Sequence, residues 1–396
     1  MIAPEPFFEP RGTPFSEFHR IRALTALGHQ VDLVTYPFGQ PVSMPGLRVF
    51  RSLRPPFIDH VKIGPSLAKI PLDALLALSA LRRAVSGRYD VIHSHEEGGL
   101  IGALLALALR VPHLYDMHSS LPQQLSNFAF SRSRLIKRVF LAIERFMIRR
   151  SRVVIVICPS LEETVKAIEP AAQTVLIENA PGSAEDEATP AAAAAVRRSL
   201  NLGDAPMVLY TGTFEAYQGL DLLFAAMAIV RRSRPDARLV LAGGRADQVT
   251  RAREQTRAAG IEDITVFAGE RPAAEIPAYL LASDLLVSPR SRGTNTPLKI
   301  YQYLRSGKAI VATRLLTHTQ VLSDDTAILT GVTPQDYADG IVAGLTDTTR
   351  AEAIGRRART LAETKYSYEA YLEKTRQACA ALLPASPEGA VVKDSA

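Results

Sequence analysis

The stretch Ser288–Thr313, SPRSRGTNTPLKIYQYLRSGKAIVAT, contains the pattern that decides the fold. The apolar run Asp284–Val287 leads into it as a strand, and a polar loop is followed by a helix over Leu298–Arg305 that ends at Gly307. A second buried strand is predicted over Ala309–Ala312. A helix that begins directly after a strand and a small-residue loop presents free backbone N–H groups and a partial positive charge. This turn therefore fits a diphosphate, although an ordinary strand-to-helix turn of a parallel sheet has the same shape.

Strand and helix patterns alternate along the whole chain, with few signals for hairpins. Strand-like segments include YDVIHSH and PHLYDMH in the first half, and APMVLYTGTF, ARLVLAGG and ITVFAGE in the second. This alternation, twice over, predicts an α/β protein with two parallel sheets, each covered by helices on both faces. The break falls near Glu178–Gly203, where Asn179–Gly182 is a turn signal. We expect one domain over residues 1–180 and another over 181–366, then a helix over 367–383 and a flexible tail over 384–396.

Length and composition agree with this division. A chain of 396 residues exceeds what one hydrophobic core usually fills. No stretch is apolar enough to cross a bilayer, and the start MIAPEPFFEPRG lacks the pattern of a secretory signal. Cys158 and Cys379 show no metal-ligand spacing, so free thiols in a reducing cytoplasm are expected. The net charge of +6 favours an anionic partner. Because Met1–Ala3 is too short for a central strand, we expect the natural start to lie further upstream.

Four ordered segments carry a resemblance to a known family: Glu9–Pro37, Asp90–His95 with Leu114–Ser120, Tyr210–Ala226, and Ser288–Thr313 with its continuation to Leu322. Together they resemble the retaining glycosyltransferases of family 4, the glycosyl transferases group 1. The similarity covers most of residues 1–380 and is weakest over 39–84. It implies the GT-B architecture, in which two Rossmann-like domains face each other across a cleft and the C-terminal helix crosses back to the first domain. It also implies an N-terminal acceptor domain and a C-terminal domain for the nucleotide-sugar donor.

The resemblance implies a retaining hexosyltransferase that moves a hexose from a UDP- or GDP-sugar to a lipid-linked or envelope glycan acceptor. It implies no cofactor and no metal, and no Asp-x-Asp pair lies in a loop that would hold Mg²⁺. The expected location is the cytoplasm, with peripheral contact to the inner face of the membrane. A sugar-nucleotide epimerase would need acid–base carboxylates around the sugar, which cannot be placed. A catalytically weak or silent scaffold that binds sugar nucleotides at a membrane surface stays open as the alternative.

The sequence departs from the family pattern at four charged positions. Many relatives have an arginine and a lysine where this chain has Thr213 and Gln218. Relatives also have two glutamates in a Glu-x7-Glu pattern, and alignment on Gly307 puts Thr294 and Gln302 at those positions. Two cations and two acids are therefore replaced together, which suggests compensation within one pocket.

We hypothesise that Lys299, with Arg290 or Arg292, supplies the charge that holds the donor phosphates. The amides of Asn295–Leu298 would bind phosphate oxygens, and the Gln302 amide would hydrogen-bond the ribose hydroxyls. A helix N-terminus disfavours a cation unless an anion is present, which favours this role for Lys299. Arg290 and Arg292 could equally be solvated loop charges. The expected donor-binding residues of this domain are Gly212, Thr213, Phe214, Gln218, Gly219, Arg290, Asn295, Thr296, Pro297, Leu298 and Gln302.

Two sites are expected in the first domain. Gly12 and Thr13 lie where the family's first loop faces the donor phosphates, unless Gly12 serves only the turn. His118 follows a strand and should lie at a strand's carboxyl end, where open α/β sheets place their sites. The resemblance implies that it lies near the transferred sugar, where it would donate a hydrogen bond to a hexose hydroxyl or orient the donor through its backbone. With Lys299 it is the expected catalytic residue, and a satisfied structural histidine is the alternative. Among their neighbours, His93 and His95 are expected to be structural, while Asp116, Glu96 and Glu97 are weaker candidates for acceptor contacts.

The segment Ser131–Arg152 has eight basic residues against one acid, Glu144, with apolar residues at helical spacing. This pattern predicts a basic amphipathic helix that contacts anionic lipid or an anionic lipid-linked acceptor. A core-facing helix with a cationic outer face is the alternative. Nucleic acid is a poorer partner, because no basic–aromatic interleaving or known reading motif is present.

Overall fold

The computed structural model describes residues 1–9, 12–59, 61, 66–122, 133–178 and 188–383. The chain forms two compact units, which we call unit 1 (Met1–Glu178 with the segment from Tyr371) and unit 2 (Asn179–Ala370). None of the described helices combines the length and the apolarity that a bilayer crossing requires.

Unit 1 is built on a parallel sheet of seven strands in the order β3-β2-β1-β4-β5-β6-β7. Its strands are β1 (Ile2–Ala3), β2 (Val31–Thr35), β3 (Leu47–Arg51), β4 (Ile92–His95), β5 (His113–Met117), β6 (Val153–Val156) and β7 (Thr174–Leu176). Its helices are α1 (Gly12–Ala26), α2 (Lys69–Ser86), α3 (Gly98–Leu109), α4 (Arg134–Arg150) and α5 (Pro159–Ile168). The strands β4, β5 and β6 are buried along their whole length, as parallel strands between helical layers are; β6 is apolar throughout, whereas β4 and β5 also bury polar side chains.

Unit 2 repeats the scheme with six parallel strands in the order β10-β9-β8-β11-β12-β13. The strands are β8 (Met207–Thr211), β9 (Arg238–Ala242), β10 (Thr265–Gly269), β11 (Leu285–Ser288), β12 (Ile310–Thr313) and β13 (Ile328–Thr330). The helices are α6 (Pro190–Ser199), α7 (Leu220–Ser233), α8 (Ala246–Ala258), α9 (Ile276–Ala282), α10 (Lys299–Ser306), α11 (Leu316–Thr319), α12 (Pro334–Thr346) and α13 (Thr348–Lys365). The two predicted parallel sheets are thus confirmed.

Element boundaries around the quoted stretch lie one residue later than predicted. Strand β11 begins at Leu285, and the Asp284 carboxylate just before it accepts a hydrogen bond from the Met207 amide at 2.7 Å. Helix α10 begins at Lys299, and Gly307 ends it with the expected left-handed conformation (φ +69°). At the front of the chain, the short strand β1 is central, since Ile2 pairs with both Val34 and Ser94.

The last helix, α14 (Tyr368–Ala380), belongs to unit 1 from Tyr371 onward. It starts as predicted, with the Ser367 hydroxyl accepting a hydrogen bond from the Ala370 amide at 3.1 Å. Thr375 then accepts a hydrogen bond from Arg20 of α1 at 3.2 Å, and Lys374 forms an ion pair with Glu178. The C-terminal helix therefore returns to the first domain, as the family resemblance implied.

Candidate active site

The candidate site in unit 2 lies where the strand order reverses, between β8 and β11. In open α/β sheets, ligands bind at the carboxyl ends of the strands at such a switch point. The loop after β8 contains Gly212 and Gly219, and the loop after β11 runs from Pro289 to Leu298. Gly219 has φ +75°, and a Cβ there would lie 2.0 Å from the Pro289 carbonyl oxygen. The two loops therefore pack backbone against backbone, and glycine is required for that contact.

Lys299 is buried at this point, and its ammonium is largely unsatisfied. Its Nζ donates one hydrogen bond, to the Thr211 carbonyl oxygen at 3.1 Å, and lies 3.7 Å from the centroid of the Tyr210 ring. No carboxylate in the described part of the chain pairs with it. Burial, together with the charge of Arg290, lowers the pKa of Lys299 well below the ordinary lysine value.

Arg290 is a second cation without a carboxylate partner among the described residues. Its Nη1 donates to the Asn295 carbonyl oxygen at 2.5 Å and to Thr317 Oγ1 at 2.9 Å, while its Nε is buried without a partner. Burial lowers the pKa of Arg290. Arg292, by contrast, is exposed, which agrees with a solvated loop charge. Lys299 is therefore buried and Arg290 half-buried, with the charge of Arg290 close enough to act on Lys299, whereas Arg292 faces solvent.

The start of α10 adds backbone donors to this site. The N–H groups of Thr296, Leu298 and Lys299 donate no hydrogen bond to any residue that the structure describes. Pro297 has no N–H, so the expected amide set Asn295–Leu298 must be corrected to exclude it. The loop is nevertheless fixed, because the carbonyl oxygens of Thr294 and Asn295 accept hydrogen bonds from surrounding side chains.

Three further predicted residues have polar groups that the described residues do not satisfy. Gln218 Oε1 and Thr296 Oγ1 are buried without a hydrogen-bond partner. The Gln302 side chain is half-buried and makes no hydrogen bond with the described residues. Thr213 contributes its carbonyl oxygen to the Tyr210 hydroxyl at 2.7 Å, and the Phe214 ring covers Gly244, where a Cβ would lie 2.6 Å from the ring. Buried polar atoms are usually paired, so the orphan atoms mark places that a ligand or water would fill.

His318 is a residue of this site that sequence reasoning missed. Its Nε2 lies 2.8 Å from Ser288 Oγ and its Nδ1 lies 2.8 Å from the Thr313 carbonyl oxygen. Burial lowers its pKa to about 3, so the ring is neutral and links the ends of β11 and β12. The only sequence signal was its position in the quoted continuation after Thr313.

In unit 1, His118 follows β5, and its Nε2 lies 3.3 Å from His95 Nδ1 and beside the Asp116 carboxylate. His118 Nε2 lies 3.2 Å from Asp116 Oδ1, and Arg20 Nε donates to Asp116 Oδ2 at 2.8 Å. Burial opposes the ionised form of Asp116, but Arg20 and His118 hold its pKa well below the ordinary value. The Arg20 guanidinium also lies 4.9 Å from the centroid of the Tyr371 ring. His118 thus lies between His95 and an ionised carboxylate, and Arg20 of α1, which pairs with that carboxylate, packs on Tyr371 of α14.

The rings of His93 and His95 stack beside the Asp116 carboxylate, with 4.8 Å between the ring centroids. His93 Nε2 and His95 Nδ1 lie 3.6 and 3.9 Å from Asp116 Oδ2. Burial lowers the pKa of both rings, which are therefore neutral. The three residues have the composition of a metal site. However, the buried Arg20 guanidinium already neutralises Asp116, so a divalent ion would meet a second cation there.

Two buried acids complete this cluster. Burial and neighbouring carboxylates raise the pKa of Glu17 well above its ordinary value. Burial raises the pKa of Glu96 to about 8, although the Ser119 hydroxyl donates to its carboxylate at 2.9 Å. Glu97, the other acid predicted to contact the acceptor, forms an ion pair with Lys69. Sequence reasoning missed Glu17 because its neighbours come from distant parts of the chain.

Three other residues of unit 1 were singled out in the sequence: Gly12, Thr13 and Glu144. Gly12 is exposed at the start of α1 with φ +52°, and Thr13 is half-buried. Glu144, the one acid of the predicted basic helix, is buried and accepts a hydrogen bond from the Leu121 amide at 2.6 Å. It thereby anchors the segment that follows His118. Residues 131–132 of that predicted helix lie outside the described residues.

Two family models match successive parts of the chain. Residues 19–180 match the family described as Glycosyl transferase 4-like domain. Residues 194–361 match the family Glycosyl transferases group 1. The sulfoquinovosyl transferase SQD2 of Arabidopsis thaliana is 26% identical over 385 residues, which are 95% of this chain and 71% of that protein.

Solved structures share the fold at low identity. The sucrose-phosphate synthase of Thermosynechococcus elongatus aligns with a TM-score of 0.79 at 22% identity, over 97% of this chain and 99% of that one. Anabaena HepE, solved in complex with UDP and glucose, aligns with a TM-score of 0.75 at 19% identity, over 96% and 98% of the two chains.

Proposed function

Because the chain belongs to the glycosyl transferases group 1 family, we propose that it transfers a hexose from a nucleotide-sugar donor to an acceptor with retention of the anomeric configuration. Membership establishes a glycosyltransferase with the GT-B fold, and the finer assignment is our proposal. The observation that carries it is a pair of cations, the buried Lys299 and the half-buried Arg290, which have no carboxylate partner among the described residues. Buried charges are normally paired, so an anionic ligand is the missing partner.

The donor diphosphate would bind between these cations and the start of α10. Lys299 Nζ uses one of its three N–H groups within the protein, which leaves two for phosphate oxygens. The free N–H groups of Leu298 and Lys299 and the unpartnered Nε of Arg290 are further donors. As the glycosidic bond breaks, negative charge grows on the leaving phosphate, and donors fixed in advance stabilise it. Protein cations would then supply the charge that Mg²⁺ supplies in metal-dependent transferases.

The remaining donor groups would be recognised by neutral side chains. Gln302 would accept from one ribose hydroxyl and donate to the other. The buried oxygens of Gln218 and Thr296 would gain partners in the bound state. Replacement of the family's charged residues at Thr213, Gln218, Thr294 and Gln302 removes two cations and two acids together. The net charge of the site is therefore preserved, which supports retained activity.

For unit 1 we propose recognition of the transferred sugar and the acceptor. His118, oriented by Asp116, would hydrogen-bond a hexose hydroxyl, and Gly12 with Thr13 would lie beside the donor phosphates. Asp116 is buried and ion-paired with Arg20, so it is not available as a nucleophile. This favours front-face attack, in which the leaving phosphate itself takes the acceptor's proton and the configuration is retained.

We propose a lipid-linked or envelope glycan as the acceptor, and peripheral binding to the cytoplasmic face of the membrane. The basic segment Ser131–Arg152 supports this, because α4 exposes its first two turns with their cations. The bound UDP of the structural relative HepE makes a UDP-sugar the first donor to test.

The test is a thermal-shift screen with UDP-, GDP- and ADP-sugars, with and without EDTA, followed by turnover of the labelled donor with a lipid extract. We expect stabilisation by one nucleotide class, independent of EDTA, and transfer of label to lipid. Donor binding without turnover or hydrolysis would instead support the alternative, a silent scaffold that binds sugar nucleotides. Absence of binding to all three classes would contradict both.

A further inference from the structure

Exposed apolar side chains are concentrated on one part of unit 1. Of fifteen exposed large apolar residues in the described chain, ten lie between positions 67 and 139 and only two in unit 2. The ten are on or beside α2, α3 and α4: Leu67, Ile70, Leu78, Leu81, Val85, Leu104, Leu107, Leu135, Ile136 and Val139. A surface patch of this kind in an otherwise polar protein marks an interaction site.

Helix α2 is apolar on two opposite sides. Its inner side places Leu72 and Leu76 in the core of unit 1. Its outer side carries Ile70, Leu78, Leu81 and Val85 at helical spacing, with Ile70 64% and Val85 70% exposed. A helix at the surface of a water-soluble protein normally has a polar outer face, and one that is apolar all round is covered by something.

Helix α3, GGLIGALLALAL, contains no charged residue and has the inverse of the usual pattern. Glycine and alanine face the sheet, while Leu104 and Leu107 are more than half exposed. The reason is close packing: a Cβ at Gly99 would lie 2.8 Å from Met147 Sδ, and one at Gly102 would lie 2.7 Å from Ser94 Cβ. The inner face of α3 therefore has no room for large side chains at these positions. Leu104 and Leu107 lie on the outer face, where the packing of unit 1 gives no reason for an apolar residue.

The helices α2, α3 and α4 are neighbours, since α3 packs against both of the others. Their exposed charges have almost one sign. Asp90 is the one exposed acid within residues 66–122 and 133–150. Exposed cations of the same residues include Arg82, Arg88, Arg110, Arg134, Lys137 and Arg138. An apolar face bordered by cations complements an anionic bilayer, into which apolar groups insert while cations meet the headgroups.

We propose that Ile70, Leu78, Leu81, Val85, Leu104 and Leu107, which we call the α2–α3 face, insert into the headgroup–acyl boundary of an anionic membrane. The proposal rests on the proposed function and deepens it: α4 contributes mainly charge, and the α2–α3 face contributes the apolar attachment. A second copy of the chain fits less well. A two-fold contact would bring the same cationic border of both copies together.

The proposal is tested by cosedimentation of the full-length protein with phosphatidylcholine vesicles that contain about 30 mol% phosphatidylglycerol. The face variant is Leu78→Gln/Leu81→Gln/Leu107→Gln, and the matched control is Leu316→Gln/Val332→Gln on unit 2, where both residues are 51% exposed. We expect the face variant to bind at least about tenfold more weakly than wild type and the control to bind as wild type does. Equal binding of the face variant and wild type would overturn the proposal.

A charge variant, Lys137→Gln/Arg138→Gln, separates the two contributions. It should weaken binding at low salt and have little further effect at about 0.5 M salt, where exposed charges are screened. The face variant should bind the vesicles more weakly than wild type at both salt concentrations. A face variant that is defective only at low salt would contradict apolar insertion.

Two measurements keep this test separate from that of the proposed function. Donor binding by the face variant should equal that of wild type, because the substituted residues lie in unit 1 on exposed positions. Membrane binding without any donor turnover would refute the proposed function alone.

Self-association through the α2–α3 face is tested separately. Sedimentation velocity without lipid should show a monomer. A wild-type dimer that the face variant abolishes would assign the face to self-association and overturn the membrane proposal.

Discussion

Replacement of Lys299 by methionine should reduce activity strongly and leave the fold intact. The ammonium has two N–H groups available for phosphate oxygens, and each hydrogen bond to a charged group contributes about 1.5–3 kcal/mol. Loss of both should lower kcat/KM by about 10²- to 10⁴-fold. The folded protein loses one hydrogen bond to the Thr211 carbonyl oxygen, about 1 kcal/mol, but no longer buries an unpaired charge. The free energy of unfolding should therefore be unchanged or higher.

The assay compares kcat/KM and melting temperature, with and without the nucleoside diphosphate, for wild type, Lys299→Met and Lys308→Met. Lys308 is a half-buried lysine just beyond α10, and it serves as the matched control. The diphosphate should raise the melting temperature of wild type and of Lys308→Met, and much less that of Lys299→Met. A Lys299→Met variant with kcat/KM within about twofold of wild type would refute the assignment, as would an equal melting shift on ligand binding.

The lowered pKa of Lys299 makes the same binding event proton-linked. Because its folded-state pKa lies below the unfolded value, the ligand-free protein gains stability from this group as pH rises between those values. A bound diphosphate favours the protonated form and raises the pKa again. Binding should therefore take up protons in that interval, as calorimetry in buffers of different ionisation enthalpy would detect. Lys299→Met should lose this uptake, whereas uptake equal to wild type would place the titrating group elsewhere.

Three further predictions address the supporting structure. Gly219→Ala should lower the free energy of unfolding by more than about 2 kcal/mol in chemical denaturation, because its Cβ would collide with a carbonyl oxygen. Gly260 also has a positive φ but faces open space, so Gly260→Ala should lower it by only about 1 kcal/mol. Equal losses for the two variants would contradict the close packing at Gly219. Asp116→Asn should lower the free energy of unfolding by about 3–5 kcal/mol, because it leaves Arg20 buried and unpaired. The double variant Asp116→Asn/Arg20→Met should recover part of that lost stability. A double variant no more stable than Asp116→Asn would mean that the two residues are not coupled. Burial raises the pKa of Glu96 to about 8, so its contribution to stability is present below its unfolded pKa and is lost as pH rises toward 8. In thermal melts, the melting temperature of Glu96→Gln should therefore rise relative to that of wild type between pH 5 and pH 8. A difference in melting temperature that does not change with pH would refute the raised pKa.

The sequence predicted the fold well because parallel strands buried on both faces are short apolar runs, and glycines punctuate them. Val153–Val156 and Leu285–Ser288 are examples that need no knowledge of distant residues. The boundaries of β11, α10 and β12 lie one residue later than predicted, because sequence pattern does not fix the exact end of an element. Local pattern also singled out Lys299 as a candidate, since a lysine at the start of a helix opposes the helix dipole unless an anion is present. Its role in donor binding stays a prediction.

Interactions between distant residues were not predictable in the same way. Arg20 and Asp116 are 96 positions apart, and no local pattern indicates that they pair. Glu144 is the one acid of the basic segment in sequence, and the pattern does not indicate that it is buried and accepts hydrogen bonds from Ser120 and Leu121. The outward leucines of α3 required the structure as well. Their orientation follows from the absence of space at Gly99 and Gly102, which only the packed sheet reveals.

The most direct test of the central claim is a crystal structure of the protein with a nucleoside diphosphate. We predict phosphate oxygens within hydrogen-bond distance of Lys299 Nζ, with further contacts from the Leu298 and Lys299 amides and the Arg290 guanidinium. Diphosphate density at another place, with Lys299 still bonded only to the Thr211 carbonyl oxygen, would contradict the account.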